Sequence, residues 1–292
     1  MSPAVDRRQF ITSLAALPLL SQRAATRRGL RVAAMDWALA ETMIALGHPP
    51  IAIVAARDWN RFVVEPPLPS GVVDLGLQPE INFELLASLT PDLILTSPFV
   101  QHLEPVLKRI ADTVRLSIFE KGSVPLAQPR TLTRILGERL DRADAAESVL
   151  AGAERAFDSY RARVAAISPL PVLLVNFIDA RHVRVYGGAG LYQNVLDRIG
   201  VVNAWTGATN YWGYSTIGIE KLATSTDLRV IAFEPVPPDS DATLRRSPLW
   251  SRLPFVRAGH VGVLPSVLMF GAIPSALRFA RLLVEHLERP SR

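Results

Sequence analysis

The sequence predicts an α/β protein organised around one long central helix, at 143–167. Three observations predict it. Short apolar runs alternate with helical patterns through the first half of the chain, as in a parallel sheet covered by helices. A similar pattern resumes after residue 168. Between the two, Val149, Leu150, Ala153, Phe157, Tyr160, Val164 and Ile167 recur in steps mostly of three and four, the mark of one buried helical stripe. At 1.5 Å per residue such a helix is roughly 38 Å long, about the diameter of a small domain. The pattern allows two readings, a spine joining two lobes or a long helix inside one domain. Asp141 or Asp144 can cap its start, and Ser168-Pro169 stops it.

The 292 residues suffice for two lobes and a large core. The formal net charge is +5 and is spread along the chain. No run of five or six Lys/Arg appears, which argues against a nucleic-acid partner. There are no cysteines, so thiolate metal sites, disulfides and a cysteine nucleophile are excluded.

Residues 1–25 read as a twin-arginine export signal. Arg7-Arg8 precede Phe10-Ile11, an apolar run of about eleven residues follows, and the run is too short to span a bilayer. Export to the periplasm, or to the outer face of the membrane, is the expectation.

In the first half, 29–35 reads as a buried strand and 39–46 as a helix stopped by Gly47. Residues 51–55 and 91–97 read as further strands, with a helix from Phe83 to Leu89. Ligands of such sheets sit beyond the carboxyl ends of the strands. That places Asp36-Trp37, Trp59 to Phe62, Gly76 to Gln78 and Ser97 to Phe99 at a site.

In the second half, 172–177 is a strong strand and Arg184-Val185-Tyr186 leads into a Gly187–Gly190 turn before a helix at 192–199. Glycines before a helix start can cradle a phosphate, so a secreted nucleotide-using enzyme is one reading. The G-x-G-x-x-G spacing is absent, and a plain helix-entry turn is the simpler one. Residues 203–214 set four aromatics among Gly, Asn and Thr without strand or helix period. Aromatics in such a loop either wall a site or plug the loop onto the core. Residues 228–233 and 261–264 read as strands, and 275–288 as the closing helix. The five histidines lack metal-ligand spacing, and no catalytic motif appears. A protein-held metal and an enzymatic activity are therefore not expected.

Several segments together resemble the periplasmic ferric hydroxamate (ferrichrome)-binding proteins of ATP-driven siderophore importers. They are Val64 to Pro69, Val73 to Leu77, Asn82 to Leu86, Asn203-Ala204-Trp205, Thr209 to Gly213, Ser247 to Trp250 and Pro254 to Gly259. The resemblance covers essentially the whole mature chain. It implies two Rossmann-like α/β lobes joined by one backbone helix, the class III periplasmic binding protein fold, with small opening motions. The implied division is a signal at 1–25, a first lobe at 29–142, a linking helix at 143–167 and a second lobe at 168–292.

The resemblance also implies a site. Trp212 and Asn210 match ligand-contacting residues, with Tyr211 beside them. Tyr214 stands where the family has a small hydroxylic residue, and Phe62 where it has a wall tryptophan. Gln78 replaces an arginine that bonds hydroxamate oxygens. Phe99 lies near a ligand-contacting tyrosine, Leu268 and Phe270 replace aromatic wall residues, and Trp37 joins the wall. Arg57 or Arg61 is a candidate for the missing charge. Glu84 and Glu220 match acidic residues that dock on an inner-membrane permease dimer with its cytoplasmic ATPase.

The implied protein is a monomer with no cofactor of its own. Ferric iron is a hard cation wanting oxygen ligands, and a siderophore supplies them all. The protein then offers an aromatic cleft and a few donors. Cobalamin or haem is the alternative cargo on the same fold.

Overall fold

The structure, a computed structural model, describes residues 29–118, 126–222 and 227–289. The twin-arginine segment lies outside them. The first lobe runs β1 (Val32–Ala34), α1 (Trp37–Ala45), β2 (Ala52–Ile53), α2 (Trp59–Phe62), β3 (Val73–Asp74), α3 (Phe83–Ser88), β4 (Leu93–Thr96), α4 (Glu104–Leu107), β5 (Asp112–Arg115) and α5 (Ala127–Arg139). Its five strands lie in the order β3-β2-β1-β4-β5, all parallel. Connections leave β1 in opposite directions to β2 and β4, so a crevice opens beyond their carboxyl ends. The residues there are Asp36-Trp37 and Ser97 to Phe99. Asp36 caps α1 through its carboxylate, which accepts from the N–H groups of Ala38 and Leu39 at 2.8 and 3.3 Å. The helix therefore starts at Trp37, two residues before the apolar pattern suggests.

The long helix α6 spans Ala143–Ile167. Ala146 belongs to the first lobe's core, whereas Leu150, Ala153, Phe157 and Val164 belong to the second lobe's. That division decides for a spine between lobes. Neither aspartate caps it. Arg142 holds the cap position without a side-chain bond, and Asp144 lies in the first turn, where the helix dipole favours a carboxylate. Asp141 turns the chain from α5 in the left-handed region, at φ 56°. Gly137 allows the two helices to meet: a Cβ there would stand 2.6 Å from the Ala146 Cβ.

The second lobe runs β6 (Val172–Phe177), β7 (His182–Tyr186), α7 (Leu191–Ile199), β8 (Tyr214–Gly218), β9 (Arg229–Phe233), α8 (Pro238–Arg246), α9 (Pro248–Arg252), α10 (Pro254–Arg257), β10 (Val261–Leu264) and α11 (Ile273–Leu287). Its sheet order is β10-β9-β6-β7-β8. It is mixed, since β7 runs antiparallel to both β6 and β8. Only a short turn separates β6 from β7, too short for the helical crossover a parallel pair needs. This half is thus less Rossmann-like than its neighbour.

The closing helix α11 touches both halves. Phe279, Leu283 and Val284 fill the second core, while the helix also packs on α1 and α5. Two polar ties reinforce it. Glu41 of α1 is fully buried and accepts from the backbone N–H of Ala272 and the hydroxyl of Ser275. Glu65, in the loop before β3, pairs with Arg278 and with Arg281 at 2.8 Å. Among the described residues no helix is long and apolar enough to cross a membrane.

Candidate functional site in the inter-lobe cleft

The loops beyond β1, β2, β3 and β4 face the loop that follows β10. Between them lies a cavity of about 420 Å³. Trp37, Val54, Phe99, Leu268 and Phe270 give it an apolar wall, and Asp36 and Gln78 supply its polar groups. Burial raises the pKa of Asp36, against its bonds to the backbone of α1. A smaller space of about 70 Å³ adjoins it, where Asp36 and Phe99 meet Tyr211 and Trp212 of the second lobe.

The rings form two groups. Phe99 stacks on Trp212 across the cleft, with centroids 4.8 Å apart and planes at 19°. Phe270 meets both edge-on, at 5.7 and 5.6 Å, and Tyr211 meets Trp212 edge-on at 4.8 Å. On the first lobe, Trp37 stacks on Phe62 at 6.0 Å, and its indole N–H donates to the Val54 carbonyl at 2.8 Å. Trp59 lies behind them. It is fully buried and donates to the Pro66 carbonyl, so it belongs to the core rather than to the site.

The 203–214 loop is held by its own polar groups. The Asn210 carboxamide oxygen accepts from the N–H groups of Trp212 and Tyr214, at 3.0 and 3.3 Å. Asn210 thus sets the Trp212 ring in place. Tyr214 is the first residue of β8, half-buried, with the Arg184 guanidinium 4.8 Å above its ring. The glycine turn before α7 is filled. A Cβ on Gly213 would stand 2.3 Å from the Gly190 Cα, and Gly187 donates to the Gly213 carbonyl at 3.0 Å. Those glycines let two loops touch, and leave no cradle for a phosphate.

Neither candidate for the missing charge is available. Arg57 pairs with Asp74 at 3.2 Å, Arg61 lies over the Phe62 ring at 5.1 Å, and neither lines the cavity. The sequence does not single out Arg184, because its alternation with the apolar Val183 and Val185 reads as the solvent side of a strand. Glu84 and Glu220 are both exposed, one on each lobe near the start of a helical turn. Among the described residues no cluster of His, Asp and Glu could hold a metal ion.

A model described as "Periplasmic binding protein" matches residues 32–268. The chain belongs to the periplasmic binding protein family. As a member of that family it is a binding protein rather than an enzyme. It is 36% identical, over 96% of both chains, to the iron(3+)-hydroxamate-binding protein FhuD of Escherichia coli strain K12. It is 25% identical to the achromobactin-binding periplasmic protein of Dickeya dadantii strain 3937, over 90% of this chain and 89% of that one. A crystal structure of the Fe3+–Desferal-bound siderophore-binding protein FhuD from Vibrio cholerae superposes with a TM-score of 0.83 at 26% identity, covering 89% of this chain and 98% of the other. The two lobes and their helical spine are thus those of the class III periplasmic binding protein fold.

Proposed function

We propose that this family member binds a ferric hydroxamate-type siderophore in the cleft and delivers it to an inner-membrane ABC permease. One observation carries the reading. The cleft is an aromatic, largely apolar space between two lobes, in a chain more than one-third identical to a hydroxamate-binding relative throughout its length. A caged ion needs no ligand from the protein, only rings for its hydrocarbon shell and donors for its oxygens. Phe99, Trp212, Phe270 and Trp37 serve as the wall, and Gln78, Tyr211 and Tyr214 as donors. The protein works in the periplasm. Arg7-Arg8 supports export by the twin-arginine route, tested by exchanging both for lysine and following where the protein accumulates.

Tryptophan fluorescence titration tests the cargo. A ferric trihydroxamate should quench strongly and saturably, since it would lie against Trp37 and Trp212. Cobalamin and haem should leave the signal unchanged; quenching by either of these and not by the hydroxamate would replace the reading.

A further inference from the structure

Arg184 lies on β7 opposite Asn176 of β6 and Thr216 of β8. Its side chain shares a face with Tyr186, two residues on, and with Tyr214, the cross-strand partner of Tyr186. Tyr214 follows Trp212, a ring of the cleft, by two residues in the chain. The Arg184 guanidinium carbon stands 4.8 Å from the Tyr214 ring centre. Its Nε is shut off from water and donates to nothing. The neighbouring Tyr186 hydroxyl donates to the Asn176 carboxamide oxygen at 2.6 Å and takes a hydrogen bond from the Arg184 guanidinium, which still leaves Nε without an acceptor. No carboxylate among the described residues pairs with Arg184.

A buried donor on a charged group without an acceptor is unfavourable. Its persistence makes sense where a ligand brings the acceptor. The Tyr214 face holds the guanidinium ready, and a planar fork suits a pair of oxygens. The first lobe, by contrast, offers the cavity only a neutral amide at Gln78 and a carboxylate at Asp36. Arg57 is paired with Asp74, Arg61 lies over Phe62, and neither lines the cavity.

We propose that Arg184 is the charged donor of the cleft, so that the chelate turns negatively charged oxygens toward the second lobe. This rests on the ferric-chelate reading above. The oxygens are either the iron-bound hydroxamate oxygens or a free carboxylate carried by the chelator.

The test is the affinity of the purified protein and of its Arg184→Gln and Arg184→Lys variants for two chelates. One is a neutral cyclic ferric trihydroxamate; the other is a ferric hydroxamate with a free carboxylate. Arg184→Gln should weaken binding by roughly 10–100-fold, the range for a charge-assisted hydrogen bond. Arg184→Lys should recover part of the loss. An equal loss for both chelates assigns the iron-bound oxygens; a loss confined to the second assigns the carboxylate. Without ligand, Arg184→Gln should melt no lower than the parent, because an unsatisfied buried donor has gone. Wild-type affinity of Arg184→Gln for both chelates overturns the proposal and leaves the cargo reading intact. A parent protein that binds neither chelate overturns both.

Discussion

Trp212 carries more of the cleft than any other single side chain. It touches Phe99 across the cleft and meets Phe270 and Tyr211 on its own side, and the Asn210 turn holds its backbone. Rings of this kind, fixed and desolvated, tend to dominate binding energy. Trp212→Ala should weaken binding of a ferric hydroxamate by about 1–3 kcal/mol. Calorimetric titration measures it without relying on the fluorescence that the substitution removes. Unchanged affinity would mean that the ring pile only props the lobes apart.

At the scale of elements, the junction of α1 with α11 makes stability depend on pH. Burial pushes the Glu41 carboxyl up to about 8, with the Ser275 hydroxyl and the N–H groups of Ala272 and Ser275 opposing it. In the unfolded chain the group titrates near 4.5. Between those values the folded state holds a proton that the unfolded state has lost. Stability therefore falls as pH rises through that window. Asp36, also raised by burial, adds to the same slope. A melting series from pH 5 to 8 should show the decline, and Glu41→Gln should flatten it, because a neutral amide has no proton to exchange. An equally steep decline in the variant would place the dependence elsewhere.

The same scale shows what can be read from a string of residues. Strands that are apolar on both faces, such as β4 and β6, announce themselves. So does α6, whose stripe is long enough to leave no other reading of its secondary structure. β5 and β8 do not: DTVR and YSTIG are edge strands with few buried residues, and their polar side chains resemble loop. The antiparallel β7 depends on pairings that lie outside its own sequence. In the cleft, residues directly after strands were legible, because a parallel sheet exposes those positions. Trp59 was misplaced because it follows a strand yet turns inward. Arg184 was missed because its neighbours come from two other strands.

For the whole molecule, Glu84 on the first lobe and Glu220 on the second are both exposed. Charges at a rim mainly orient an encounter and speed it. Reversing both to lysine should leave siderophore affinity intact and stop uptake in cells that rely on this protein. Normal transport by that variant would remove them from permease docking.

The closing helix has one more consequence, for how the chain is made. Residues 273–287 complete the packing of α1 and α5, although more than a hundred positions separate them in sequence. While the ribosome is still synthesising the second half, the earlier sheet lacks part of its cover and Glu41 has no partner. The native state must therefore be reached after translation ends. A chain shortened by its last twenty residues should lose the order of its beginning as well as that of its end.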